Sequence, residues 1–264
     1  MNLKPCLALG IALLANVPVV PAAPQVQTDD LMQQPQTFKA KINRALTADY
    51  LLFLPKGYQP KGAQRWPLIL FLHGAGERGQ DLRKVAVHGP PKIVKQRPDL
   101  PFIVVSPQCP DGQSWSDDVV LALLDHVLKK YQVDPARVYL TGLSMGGFGT
   151  WSLGVKYPER FAAIAPICGG GDILGVLLSS SKEKSAALKS LGVWAFHGAK
   201  DPVVKLEESE RMIAALKKAG VKDLELTIYP DAQHDSWTET YNNDKLYQWF
   251  LQHERKPGSS PYPR

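Results

Sequence analysis

One stretch constrains this chain more than any other: Val138–Gly149, VYLTGLSMGGFG. A short apolar run, Val138-Tyr139-Leu140, meets Gly142-Leu143-Ser144-Met145-Gly146, and a helix-compatible segment follows from Phe148 to Tyr157. This is the strand, tight turn and helix context that gives a G-x-S-x-G pattern meaning. The small flanking residues let the chain bend sharply, and the turn lifts the serine hydroxyl above the sheet edge. Ser144 is therefore read as a nucleophile rather than as a bystander in a glycine-rich loop.

The apolar runs around that turn set the fold. Pro67–Leu72 (PLILFL) is apolar without alternation, the mark of a strand buried on both faces of a mainly parallel sheet. Pro101–Val105, Ala162–Ile167, Val193–Phe196 and Leu224–Tyr229 are the further strands. Asp118–Tyr131 carries Val119, Val120, Leu123, Leu124, Val127 and Leu128 at helical spacing. Asp117 and Asp118 at its start and Lys129-Lys130 at its end suit the helix dipole. Leu206–Ala219 repeats that pattern and stops at Gly220, and Tyr241–His253 is expected to close the fold as a helix. Thr37–Asn43 and Asp49–Leu54 are expected to pair as a leading antiparallel hairpin. Strands alternating with helices after such a start predict an α/β class: an open, doubly wound, mostly parallel sheet with no large lid domain. The connection after Ala162–Ile167 reads as a short Ser/Lys-rich stretch, Ser179–Ser190.

The N-terminus has the pattern of an export signal. Lys4 precedes the apolar segment Leu7–Val17, and Val20-Pro21-Ala22 offers small residues for cleavage. The apolar segment is too short for a membrane-spanning helix. Residues 1–22 are thus expected to be removed, leaving 23–264 as one domain with a flexible tail from 254, secreted or periplasmic. The net charge of +6 is carried by lysines and arginines interleaved with acids. No basic stripe with interleaved aromatics appears, which argues against a nucleic-acid partner. No His/Cys/Asp group shows ligand spacing, so neither metal nor cofactor is expected. Cys109 and Cys168 lie at strand ends with two strands between them. Three strand spacings are roughly 14 Å, too far for a disulfide, so both are expected as free, partly buried thiols. No sequence feature fixes an oligomeric state.

A serine hydroxyl is a weak nucleophile near neutral pH and needs a base, which in turn needs a group to orient it. On a strand–turn–helix serine the order along the chain is Ser, then Asp or Glu, then His. Three histidines follow Ser144: His197, His234 and His253. His197 ends a strand four residues before Asp201 and reads as structural, while His253 sits in the closing helix. His234 follows the last strand in a loop, where the base belongs. Asp201, stiffened by Pro202, is the leading acid, and Asp172 is the alternative. The oxyanion needs preorganised N–H donors, for which the amides of Met145 and of Ala75, in His73-Gly74-Ala75-Gly76, are the candidates. Gly147 is expected to let the backbone approach the substrate. Glu77, Arg78 and Asp81 either shape the Ala75 loop through an ion pair or are plain surface charges. Trp115 and His88 are candidate substrate contacts, and Trp237 is a candidate support for the base loop.

The runs FLHGAGERG, PQCP with Trp115, VDPARVYLTGLSMGGFGTW, PICGGGD, FHGAKDPVV and YPDAQHDSW together resemble one family. It is the group of exported serine esterases in the dienelactone-hydrolase and prolyl-oligopeptidase-like branch of the α/β hydrolases. The likeness runs from about Thr37 to His253. It implies the α/β-hydrolase fold and the triad Ser144, Asp201 and His234. Dienelactone hydrolases proper use a cysteine nucleophile, so lactone specificity does not carry over to Ser144. Gln233 stands before His234 where relatives have glycine. The expected function is a serine carboxylesterase on an ester substrate, with acetyl or feruloyl groups on polysaccharide as the family-level expectation. A serine peptidase is the alternative enzyme, and a hydrolase-fold binding protein without turnover is the alternative class. The short connection after Ala162–Ile167 implies an open site suited to short acyl groups.

Overall fold

In the computed structural model, residues 37–41, 43–181 and 184–255 are described. The chain divides by contact into Met1–Arg44 and Ala45–Arg264. The described residues of the first unit carry no regular secondary structure. The proposed signal segment, residues 1–22, lies outside the described residues.

The second unit runs β1 (Tyr50–Phe53), β2 (Trp66–Leu72), α1 (Gly89–Gln96), β3 (Ile103–Pro107), α2 (Asp117–Lys130), β4 (Val133–Leu143) and α3 (Met145–Lys156). It continues with β5 (Ala163–Ile167), α4 (Ile173–Ser179), α5 (Ser185–Ser190), β6 (Gly192–Gly198), α6 (Glu207–Lys218), β7 (Leu224–Tyr229), α7 (Trp237–Asn242) and α8 (Asp244–Leu251). The strands form one sheet in the order β1-β3-β2-β4-β5-β6-β7, antiparallel only between β1 and β3. This is the doubly wound α/β sheet that the alternation of elements predicts.

The apolar runs become strands because both faces of the sheet are covered. Leu68, Leu70 and Leu72 of β2 join one core with Val120 and Val127 of α2, Trp151 of α3 and Met212 of α6. Ile69 and Phe71 point the other way, into a second core with Ile93, Tyr241, Tyr247 and Phe250. A period of two along one strand thus feeds two helical layers. β3 lies on one side of β2 and β4 on the other. The chain therefore reverses its winding direction there, and the loops after β2 and β4 leave side by side at a crevice. Leu72 is registered with Gly142.

Several expectations are corrected. β1 pairs with β3, Tyr50 opposite Pro107, rather than with Thr37–Asn43. In that segment Phe38 is 91% exposed. The closing helix is two helices, broken where the Asn243 side chain accepts the Lys245 N–H and caps α8. The β5–β6 connection holds α4 and α5 rather than a plain polar stretch. Asp172 caps α4 through the Leu174 and Gly175 N–H groups. The tail is not loose at 255: the Arg255 N–H donates to Ala136 O, and its guanidinium reaches Glu159 O and Pro135 O. α1 was not legible, although Pro90 and Pro91 fall in its first turn, where a missing N–H costs no helical bond.

Candidate active site

The turn after β4 is built by close backbone packing. Ser144 has φ 51° and ψ −115°, a sparsely populated conformation for a side-chain-bearing residue. It is held by its N–H to Ile167 O at 3.0 Å and by Phe148 N–H to Ser144 O at 3.0 Å. The flanking glycines are needed for space. A Cβ at Gly146 would stand 1.9 Å from Leu72 O, and one at Gly142 2.7 Å from the same oxygen. Gly147 was expected to open the backbone to substrate. Instead its α-carbon faces Ile167 O and Gly169, so what it permits is close packing of α3 on the β5 loop.

The polar chain runs across three loops. Ser144 Oγ lies 3.0 Å from His234 Nε2, and His234 Nδ1 lies 2.8 Å from Asp201 Oδ2. Asp201 is 8% exposed, and its Oδ1 accepts the N–H groups of Val203 at 2.8 Å and Val204 at 2.9 Å. Those bonds leave Oδ2 for the histidine and fix the tautomer, with hydrogen on Nδ1 and Nε2 free to accept from the serine. Asp172, engaged at the start of α4, does not take part. His253 bonds Trp249 O and Asp223. His197, read as structural, is fully buried and bonds Ser209 and Val204.

The loop after β2 faces this turn. Met145 is the first residue of α3 and Ala75 the first of a short 3-10 turn, so both amides sit at helical starts without an intrahelical acceptor. The preceding amide, Gly74 N–H, is taken by Glu77 Oε2 at 2.9 Å. Arg78 Nε donates to Ala75 O at 2.9 Å. Of the two readings of Glu77, Arg78 and Asp81, the ion pair is not the one that organises the loop. Asp81 pairs with the exposed Arg83 at 2.8 Å, which lowers its carboxyl to about 2, and the loop is shaped by side-chain bonds to backbone.

Sequence reasoning passed over His73. The buried ring accepts the Cys109 N–H at Nε2, 3.0 Å, and donates from Nδ1 to Gly74 O, 2.7 Å. Trp115 donates its indole N–H to His73 O at 3.1 Å and sets its ring edge-on to the imidazole, 4.8 Å between centroids. Burial lowers the His73 pKa below the ordinary 6.5, so both partners see the neutral ring. The signal available in sequence was only that His73 opens HGAG.

Trp115 is also a cavity wall. A cavity of about 450 Å³ opens over Ser144, lined by Ser114, Trp115, Met145, Phe148, Gly149 and Ser152. Trp237 packs edge-on to His234, 5.3 Å between centroids, and its indole N–H donates to His88 Nδ1 at 3.3 Å. Trp237 thus packs on His234 directly; His88 sits beside Trp237 in a separate, smaller cavity of about 80 Å³. Cys109 and Cys168 are free, as expected, and fully buried rather than partly. Burial pushes the Cys168 thiol up to about 12, so it stays protonated and does not compete with Ser144.

The phospholipase/carboxylesterase family matches residues 106–245, a span that holds Ser144, Asp201 and His234. The chain belongs to this family. It is 26% identical over 212 residues to the bifunctional acetylxylan esterase/xylanase XynS20E of Neocallimastix patriciarum, covering 76% of this chain and 28% of that one. It is 31% identical over 158 residues to a putative carboxymethylenebutenolidase of Salmonella typhimurium, covering 54% of this chain and 57% of that one. Among solved structures, a thermostable esterase is 34% identical with a TM-score of 0.62, over 78% of this chain and 59% of that one. The chain thus spans less than two thirds of each of these proteins. Among the described residues, no helix is long and apolar enough to cross a membrane.

Proposed function

We propose that this member of the phospholipase/carboxylesterase family is an exported serine esterase that works through an acyl-enzyme. The observation that carries the reading is the chain Ser144–His234–Asp201, at 3.0 Å and 2.8 Å, with Ser144 lining the Trp115 and Phe148 cavity.

In this mechanism His234 Nε2 takes the Ser144 proton as Oγ attacks the ester carbonyl. Asp201, held by two backbone N–H groups, orients the ring and stabilises the imidazolium. The oxyanion is received by the Met145 and Ala75 amides. Losing one donor of this kind costs about 10²–10³ in kcat. The tetrahedral intermediate collapses as His234 protonates the leaving alcohol, and water then repeats the sequence to release the acid. Acetyl or feruloyl groups carried on polysaccharide are the proposed substrates, a reading supported by the acetylxylan esterase likeness and by a cavity with two aromatic walls. Release into the periplasm or medium is proposed on Lys4, Leu7–Val17 and Val20-Pro21-Ala22.

The test is the initial rate on p-nitrophenyl acetate for the mature chain and for Ser144→Ala. Turnover that falls by roughly 10³-fold or more in the variant is expected. Equal rates in both proteins would rule out Ser144. A matched anilide should be cleaved far more slowly than the ester; comparable rates would favour a peptidase instead.

A further inference from the structure

We infer that His197, backed by Ser209, is a positioning residue that fixes the acid of the triad; this rests on the hydrolytic reading of Ser144, His234 and Asp201 above. His197 is 0% exposed at the end of β6, and nothing in the reaction uses it directly. Its Nε2 lies 2.8 Å from Val204 O. A carbonyl only accepts, so that nitrogen carries a hydrogen. The same Nε2 is 3.4 Å from Asp201 Oδ2, the oxygen that receives His234 Nδ1–H. Val204 returns the contact by donating its own N–H to Asp201 Oδ1 at 2.9 Å.

The short loop from Asp201 to Val204 is thereby tied at both ends, by the carboxylate it presents and by an imidazole behind it. The other ring nitrogen, Nδ1, stands 2.7 Å from Ser209 Oγ in α6. The same hydroxyl is 3.4 Å from Gly169 O, on the loop whose backbone packs against Gly147 beside the nucleophile. The acid, its loop and the nucleophile turn therefore share one buried polar connection.

Filling that space with a ring that has two polar atoms is a poor choice for packing alone, since each atom costs free energy unless bonded. What the ring adds is direction: an N–H bonded to Val204 O, with the ring edge 3.4 Å from Asp201 Oδ2, holds the turn whose Val203 and Val204 N–H groups keep the carboxylate from rotating off His234. A misplacement of about 1 Å in such a group costs on the order of 100-fold in rate.

The test compares His197→Leu, which removes both polar atoms, His197→Gln, which returns an N–H donor, and Ser209→Ala, which removes the hydroxyl that holds Nδ1. Each is checked for folding by circular dichroism. Each is then assayed for kcat and KM on p-nitrophenyl acetate, with Ser144→Ala as blank, and for the downfield proton resonance of His234 Nδ1–H. In His197→Leu kcat is expected to fall about 10- to 100-fold with KM within about twofold, and the resonance should shift or broaden. His197→Gln should recover most of the rate, and Ser209→Ala should lose several-fold. Wild-type kcat together with an unmoved resonance in folded His197→Leu would overturn the inference. If that variant does not fold, the same two readouts in Ser209→Ala decide. If the wild type hydrolyses no ester, the esterase reading fails by itself, and the resonance in these variants still decides whether His197 positions Asp201.

Discussion

The loops after β2 and β4 leave neighbouring strands and lie against each other, Gly74 beside Leu143, yet they are held by different physics. The turn after β4 is fixed by volume: Gly142 and Gly146 lie where any Cβ would meet the Leu72 carbonyl. The loop after β2 is fixed by polar side chains. His73 bridges to Cys109, Trp115 holds the His73 carbonyl, and Glu77 takes the Gly74 N–H. Steric exclusion tolerates no substitution, whereas a network of bonds loosens by degrees. The first loop should fail all at once and the second in steps.

The largest effect that contrast predicts is Gly146→Ala. A methyl 1.9 Å from Leu72 O forces β2 and α3 apart. The expected loss is more than about 4 kcal/mol, read by urea unfolding, and a variant of near wild-type stability would break the contrast. Next comes Glu77→Ala, which frees Gly74 N–H beside the Ala75 amide. It should lower kcat/KM by about tenfold while costing only about 1 kcal/mol of stability. A stability loss with unchanged kcat would detach the loop from the chemistry.

His73 adds a pH signature to the second loop. Burial lowers its pKa below 6.5, so the unfolded chain binds a proton that the folded loop refuses. Its contribution is fully present above pH 6.5 and is lost as pH falls from there toward the lowered folded value. Melting temperatures of wild type and His73→Gln should differ in slope across that window; parallel curves would remove His73 as the source. The two buried thiols sharpen the contrast further. Cys109, after β3, is bonded through its N–H to His73 of the loop after β2, and Cys168 sits behind the steric turn. In mild urea a thiol reagent should label Cys109 first, because bonded loops open locally at lower cost. The smallest effect is expected for Asp81→Asn. Asp81 engages only exposed Arg83, and activity and melting temperature should be unchanged within error.

The same contrast explains what could be read in the chain before its structure. The β4–α3 turn is local, so its glycine spacing and flanking apolar run give both the fold position and the serine. The contacts of His234 with Asp201 and Ser144 were legible because the order of loops along a doubly wound sheet restricts which side chains reach Ser144. His73 was not legible, since its partners Cys109 and Trp115 lie 36 and 42 residues away. Asp172 and Asp201 each follow a strand. Only the structure separates them, one capping α4 and the other aimed at His234. The pairing of β1 with β3 escaped for a related reason: a short antiparallel strand carries no mark of its partner, and Thr37–Asn43 was merely the nearest alternating segment.

The most direct measurement is the site of covalent labelling. The wild-type chain should react with one equivalent of a fluorophosphonate ester, and peptide mass spectrometry should place the adduct on Ser144. His234→Ala should slow labelling by at least about 100-fold, and Ser144→Ala should abolish it. An adduct on another residue, or labelling that is indifferent to His234, would contradict the coupling of Ser144 to His234 and Asp201 on which the proposed chemistry rests.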